Sequence, residues 1–154
     1  MEISTEIKSW EELTREELYD LIQLRIAVFV VEQNCPYQDA DNKDKNSAHV
    51  MMRDSNGQLI ACARLVSPGI SYDEWSIGRV AVALSHRSQK LGYRLMHACL
   101  DQLDQQTQGA PIRISAQSYL IKFYTQCGFE QVSEMYLEDD IPHVEMLLKT
   151  YPNR

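Results

Sequence analysis

The chain has 154 residues, 44% of them hydrophobic and 24% charged, with a formal net charge of −7 from 15 Lys+Arg against 22 Asp+Glu. That length suits one domain, residues 1–154, which can bury a sizeable core without disulfides or a structural metal. The acidic balance argues against general binding to nucleic acid or an anionic membrane, both of which need a basic face. No apolar run reaches the roughly 18 residues of a membrane span, and the N-terminus Met1-Glu2-Ile3-Ser4 lacks the basic-then-apolar order of a signal peptide.

Ile3 to Lys8 alternates and predicts a first strand. Thr14-x-x-Glu17 is a capping box, with Leu13 and Leu18 placed as its hydrophobic staple. Leu18, Leu21, Ile22, Val28 and Phe29 then recur at helical spacing. Arg25 falls on that apolar stripe. Its stem packs there with the head reaching solvent, or the head pairs with a buried carboxylate or lines a site. From Val30 to Tyr37 the chain reads as a loop. Asp39 to Asn46 is polar, and Asp39-x-Asp41 hints at a calcium loop, but the sixth position is Asp44 instead of Gly and the twelfth is Val50 instead of Glu.

Ala48–Arg53 and Gln58–Val66 predict a hairpin around Ser55-Asn56-Gly57. Trp75–Ala83 reads as a buried strand with Gly78 as a candidate bulge. A helix is predicted from Arg87 to Gln106, with Leu91, Leu95, Cys99 and Leu103 on one stripe. A strand at Ile112–Ala116 follows, then a helix over Tyr119–Gln126 closed by Cys127-Gly128, then strands at Phe129–Val132 and His143–Leu148. This order predicts an α+β fold with a mixed sheet. The four cysteines form no C-x-x-C pair and three lie in apolar stretches, as in a reduced, cytoplasmic protein.

The chemistry concentrates where the buried strand runs into the long helix. A helix start carries free N–H groups and the positive end of the dipole, so it attracts phosphate. His86, Arg87, Lys90 and Arg94 surround it, the one local basic cluster in an acidic chain, and Gly92 permits close approach. A solvated basic helix face would show the same residues. Neither a Walker loop nor a Rossmann fingerprint is present, and no Cys/His set has zinc-ligand spacing.

Arg87-Ser88-Gln89-Lys90-Leu91-Gly92 resembles the R/Q-x-x-G-x-G/A motif of GNAT N-acetyltransferases, which grips the pyrophosphate of acetyl-CoA. Phe123-Tyr124-x-x-Cys127-Gly128-Phe129 is similar to the Y-x-x-x-G-F ending of that family. Leu24-Arg25-x-x-Val28-Phe29-Val30-Val31-Glu32-Gln33, Cys35-Pro36-Tyr37-Gln38 and Ile141-Pro142-His143 resemble an ElaA-like branch of it. The resemblance implies the acyl-CoA N-acyltransferase fold, a central twisted mixed sheet flanked by helices. It also implies direct acetyl transfer from acetyl-CoA to an amine of a small-molecule or peptide acceptor, without a metal. An acyl-CoA-binding domain that senses instead of catalysing is the alternative.

Residue by residue, the resemblance gives the cofactor site to Val80 and Val82 on the strand, to Arg87, Ser88, Gln89, Lys90, Leu91, Gly92 and Tyr93, and to Gln117. Gln117 stands where many relatives have Asn, and Lys90 where most have Gly. Ser76 stands where some relatives carry a Glu base. Tyr124 is the expected acid and Glu32 the first choice of base, unless Glu32 merely partners Arg25. Arg25, Tyr37, His49 and His143 are candidates on the acceptor side, built from the loops Gln33–Ser47 and Ser133–His143. Asp41 and Glu74 could join Tyr37 in receiving a cationic acceptor. Oligomeric state stays open, a homodimer included.

Overall fold

The computed structural model describes residues 2–152. Met1, where the N-terminal reading begins, and residues 153–154, counted in the single-domain expectation, lie outside them. The elements in order are β1 (Ser4–Ser9), α1 (Arg15–Arg25), β2 (Ser47–Arg53), β3 (Leu59–Val66), β4 (Ser76–Val82), α2 (Leu91–Thr107), β5 (Ile112–Gln117), α3 (Ile121–Gln126), β6 (Glu130–Gln131), β7 (Tyr136–Glu138) and β8 (Ile141–Leu148).

The strands form two antiparallel groups, β1-β2-β3-β4 and β5-β8-β6, with β7 on β8. They meet at a single parallel point, Trp75 opposite Ile112, where the Arg113 N–H donates to the Trp75 carbonyl at 2.9 Å. The sheet is therefore mixed by one link. Past that link no ladder joins β4 to β5, so the two strands part.

Local sequence explains most boundaries. The capping box of α1 is made: the Glu17 amide donates to the Thr14 hydroxyl at 3.1 Å and the Thr14 amide to the Glu17 carboxylate at 2.8 Å. The helical path continues past Phe29, where a loop was predicted, through a π-helical turn over Ile26–Glu32. That wider winding breaks the seven-residue repeat that would have put Glu32 on the Arg25 face. The α2 stripe of Leu91, Leu95, Met96, Cys99, Leu100 and Leu103 is buried against the sheet. At about 1.5–3 kcal/mol for each large apolar side chain, it is a principal anchor of the two strand groups.

Three boundaries differ from the sequence reading. The helix predicted from Arg87 starts at Leu91, because Leu84–Gln89 winds as a 3-10 turn and Lys90 breaks it with φ +54°. The bulge predicted at Gly78 has its positive φ, +49°, at Arg79. β7 lies in a stretch read as loop, and its two-residue turn to β8 uses Asp139 and Asp140, both at positive φ, without the Gly that signals such turns.

Candidate active site

The parting of β4 from β5 opens a cavity of about 460 Å³. One wall is the edge of β4. The Ala83 amide donates to the Ile60 carbonyl on β3 at 2.8 Å. Since peptide groups alternate along a strand, those of Val82 and Val80 face the other way, into the cleft. The Val82 carbonyl confirms this orientation, because it accepts from Arg87 Nε at 3.1 Å and Nη2 at 3.0 Å. At the end of that wall stands the first turn of α2, whose amides have no preceding helical carbonyl to bind. Gly92 lets α2 sit close to α3: a Cβ there would lie 3.3 Å from the Phe123 ring.

Of the residues expected at the cofactor, Val80, Val82, Arg87, Lys90, Gly92, Tyr93 and Gln117 line the cavity. Leu91 instead points into the core, fully buried, while Ser88 and Gln89 are exposed on the 3-10 turn. What Leu91 can offer a ligand is backbone. Lys90 explains its own oddity. Its position needs a left-handed backbone, which Gly adopts freely and other residues at a cost.

Arg87 crosses the cleft to Glu32. Its guanidinium takes both carboxylate oxygens, with Nη2 at 2.6 Å from Oε1. Arg87 therefore holds the Glu32 carboxyl below the usual carboxylate range. This corrects two expectations. Glu32 does not pair with Arg25, and as a committed counter-ion it is poorly placed to accept a proton. Beside it, Gln33 and Gln117 exchange hydrogen bonds at 3.3 and 3.4 Å, tying the end of the helical stretch to the end of β5. In the sequence Gln33 stands only within a resembling stretch and at the start of an acceptor-side loop, and nothing there marks it as the partner of Gln117.

Tyr124 projects from α3 into the same cavity, only 7% exposed, packed edge-on against Phe123 and Phe129. Burial pushes its hydroxyl above the ordinary tyrosine range, so it keeps its proton. Among the described residues that hydroxyl has no hydrogen-bond partner. His143, on β8, also lines the cavity, with Nδ1 2.7 Å from the Ile141 carbonyl.

The acceptor-side expectations divide. Tyr37 lines the cavity, donates to Asp39 at 2.8 Å and lies under the Arg79 guanidinium, 5.3 Å from ring centroid to carbon. Arg25 and His49 do not reach the cavity. Both are 1% exposed within a buried ionic cluster. Arg25 binds Asp44 at 2.8 Å and Asp39 at 3.0 Å. Arg64 binds Asp41 at 2.7 Å and Asp44 at 3.0 Å. Arg79 binds Asp39 at 3.0 Å and Asp41 at 3.2 Å. His49 Nε2 meets the Asp44 carbonyl at 2.9 Å, and burial lowers its pKa. Asp41 is thus neutralised from within and unavailable to a cationic acceptor. Glu74 is likewise held by Arg113 at 3.0 Å, away from the cavity. Three arginines and three aspartates clamp the loop before β2 onto β3 and the bulge of β4.

The geometry of a split sheet, a free strand edge and an anion-binding helix start is that of an acyl-CoA-dependent acyltransferase. The Acetyltransferase (GNAT) domain matches residues 11–150, and the chain belongs to this family. Protein ElaA of Escherichia coli is 42% identical over 137 residues, 88% of this chain and 89% of that one. Its crystal structure superposes with a TM-score of 0.89 at 38% identity, covering 96% of this chain and 99% of the other. An acyl-CoA N-acyltransferase from Pseudomonas aeruginosa superposes with a TM-score of 0.90 at 41% identity, with the same coverage. The family uses acyl-CoA co-substrates, and the free edge of β4 with the start of α2 fits such a molecule: amides for its arm, an electropositive turn for its pyrophosphate.

Proposed function

We propose that this protein is a single-domain, cytoplasmic N-acetyltransferase that moves acetyl directly from acetyl-CoA to a primary amine of a small-molecule or peptide acceptor. The observation that carries the reading is the convergence on one cavity of the β4 edge, the first turn of α2 and the unpartnered Tyr124 hydroxyl. The pyrophosphate belongs at the first turn of α2 with Lys90 beside it, and Gln117 reaches the pantetheine arm. The amide of Val80 or Val82 stabilises the oxygen as negative charge develops on it. Tyr124, protonated at neutral pH, donates to the departing thiolate. At the acceptor end Tyr37 and His143 line the cavity with Glu138 and Asp139, carboxylates that favour a cationic amine over an anionic one. A net charge of −7 supports the absence of a nucleic-acid or anionic-membrane partner. Four free, buried cysteines support a reducing compartment.

The test is calorimetric titration with acetyl-CoA and with ATP, followed by turnover on spermidine, glucosamine and Nα-acetyl-lysine. Micromolar binding of acetyl-CoA alone, with amine-dependent release of thiol, is the expected result. Binding without turnover on any amine would instead support an acyl-CoA-sensing domain, and absence of binding would remove both readings.

A further inference from the structure

With Glu32 committed to Arg87, the acceptor side needs another group to take the proton of an ammonium that titrates near about 10.4 in water. We infer that His143 is that base and that Glu138 stabilises the imidazolium it becomes. The inference rests on the acetyl-transfer reading above.

The geometry of the ring fixes its chemistry. A carbonyl oxygen only accepts, so the 2.7 Å contact with the Ile141 carbonyl places the proton of the neutral ring on Nδ1. Nε2 then carries the lone pair. Its near polar neighbour is the Glu138 carboxylate at 3.5 Å, another acceptor, which gives the neutral ring no donor. The ring lies within 24° of parallel to Tyr136, with centroids 6.2 Å apart, is only 7% exposed and lines the cavity. A buried imidazole that lines the cavity, with one nitrogen tied off and the other beside a carboxylate, is arranged to accept a proton there. Glu138 sits where the resulting charge needs a partner.

The groups around it agree. From β7 come Tyr136 and Glu138, and from the β7–β8 turn the Asp139 carboxylate. From β5 comes Gln117, opposite His143 in register, with Ser115 binding Tyr136 and Glu138. Glu145, two residues along β8, is neutralised by Arg113. Tyr72 interacts electrostatically with Tyr136, Glu138 and Glu145 from the loop before β4. No arginine or lysine among these faces the ring.

The step balances. The acceptor ammonium gives one proton to His143 Nε2. The neutral nitrogen attacks the thioester carbon, the C–N bond forms, and the C–S bond breaks. Tyr124 protonates the thiolate and is recharged by the second amine proton. His143 returns its proton to solvent, and one proton is released overall.

The experiment is the pH profile of kcat/KM for wild type, His143→Gln and Glu138→Gln on whichever of spermidine, glucosamine and Nα-acetyl-lysine the wild type acetylates, with acetyl-CoA affinity measured alongside. His143→Gln is expected to lose about 10²–10⁴-fold in turnover at pH 7, to lose the acidic limb, and to keep acetyl-CoA affinity. Glu138→Gln should move the limb to lower pH and keep acetyl-CoA affinity. Retention by His143→Gln of both the limb and turnover within threefold would overturn the assignment while leaving the acetyltransferase intact. A wild type that acetylates none of the three amines would overturn the assignment together with the reading beneath it. Should His143→Gln not fold, ¹⁵N NMR of histidine-labelled wild type decides. The neutral Nδ1–H tautomer at pH 8 supports the assignment, and the Nε2–H tautomer refutes it.

Discussion

Lys90 offers a test in which backbone and charge pull in opposite directions. It holds φ +54° and ψ +29° between the 3-10 turn and α2, a conformation costing a side-chain-bearing residue about 1–2 kcal/mol. Glycine removes that cost but loses about 0.4–1 kcal/mol to the greater freedom of the unfolded chain. Lys90→Gly should therefore gain about 0.5–1 kcal/mol, a rise of roughly 1–4 °C in Tm for a domain of this size. The same change removes an exposed ammonium from beside the α2 start. A screened charge of this kind is worth about 0.5–1 kcal/mol toward a bound phosphate, so acetyl-CoA affinity should fall about two- to fivefold. The loss should shrink in high salt, where such attraction is screened. Lys90→Ala separates the two effects: it loses the charge and keeps the left-handed strain, so its affinity should match that of the glycine variant while its Tm stays near wild type. Differential scanning fluorimetry and titration calorimetry at two salt concentrations read both quantities. A drop in Tm for Lys90→Gly would refute the strain argument. Tighter acetyl-CoA binding by both variants would refute the charge argument and show the side chain crowding the pyrophosphate.

Tyr124→Phe should keep acetyl-CoA affinity within about twofold and lose about 10²-fold or more in turnover, and unchanged turnover would remove the hydroxyl from the mechanism. Asp44→Asn should cost about 3–5 kcal/mol in urea unfolding, because it strips a buried partner from Arg25 and Arg64. The same cluster sets an acid limit. Burial raises the pKa values of Asp41 and Asp44, but the bonds from Arg64 to both and from Arg25 to Asp44 outweigh it and leave them lowered. Their stabilisation is thus complete above the unfolded carboxylate pKa near about 3.9 and is lost as pH falls below it. Urea midpoints from pH 6 to pH 2.5 should fall steeply only below about pH 4, and a decline already complete at pH 5 would contradict the sign. Gly128→Ala should cost about 2–4 kcal/mol, since φ is +105° and the new Cβ would sit 2.9 Å from Leu148 Cδ1 and 3.2 Å from Pro152 Cγ. Wild-type Tm in that variant would show that the C-terminal segment yields without cost.

The parts of this molecule legible in its sequence are those governed by nearest neighbours. The capping box of α1, the Asn56-Gly57 turn and the α2 stripe are short-range devices whose partners lie within a few residues, and they stand where the pattern puts them. The electropositive turn was legible for the same reason, since a strand edge and a helix start are joined by a few residues. What escaped depends on partners far apart in the chain. Arg87 is 55 residues from Glu32, and Gln33 is 84 from Gln117. No periodicity could indicate that the base candidate was a counter-ion, or that two glutamines close the two halves of the site. The acidic loop misled for a related reason. Carboxylates in an aperiodic stretch read as solvated or as bait for a cation, yet three of them meet three arginines from α1, β3 and β4. That pairing changes what the loop does. A carboxylate already bonded to a guanidinium adds little field at the cavity, so on the proposed reading the preference for a cationic acceptor rests with Glu138 and Asp139, which come from a turn that sequence rules for glycine-containing hairpins pass over. On the proposed reading the acceptor-side carboxylates sit at a positive-φ turn near the far end of the chain, while the donor site is built in its middle from β4, the 3-10 turn and the start of α2. Donor recognition can then stay fixed while the acceptor changes.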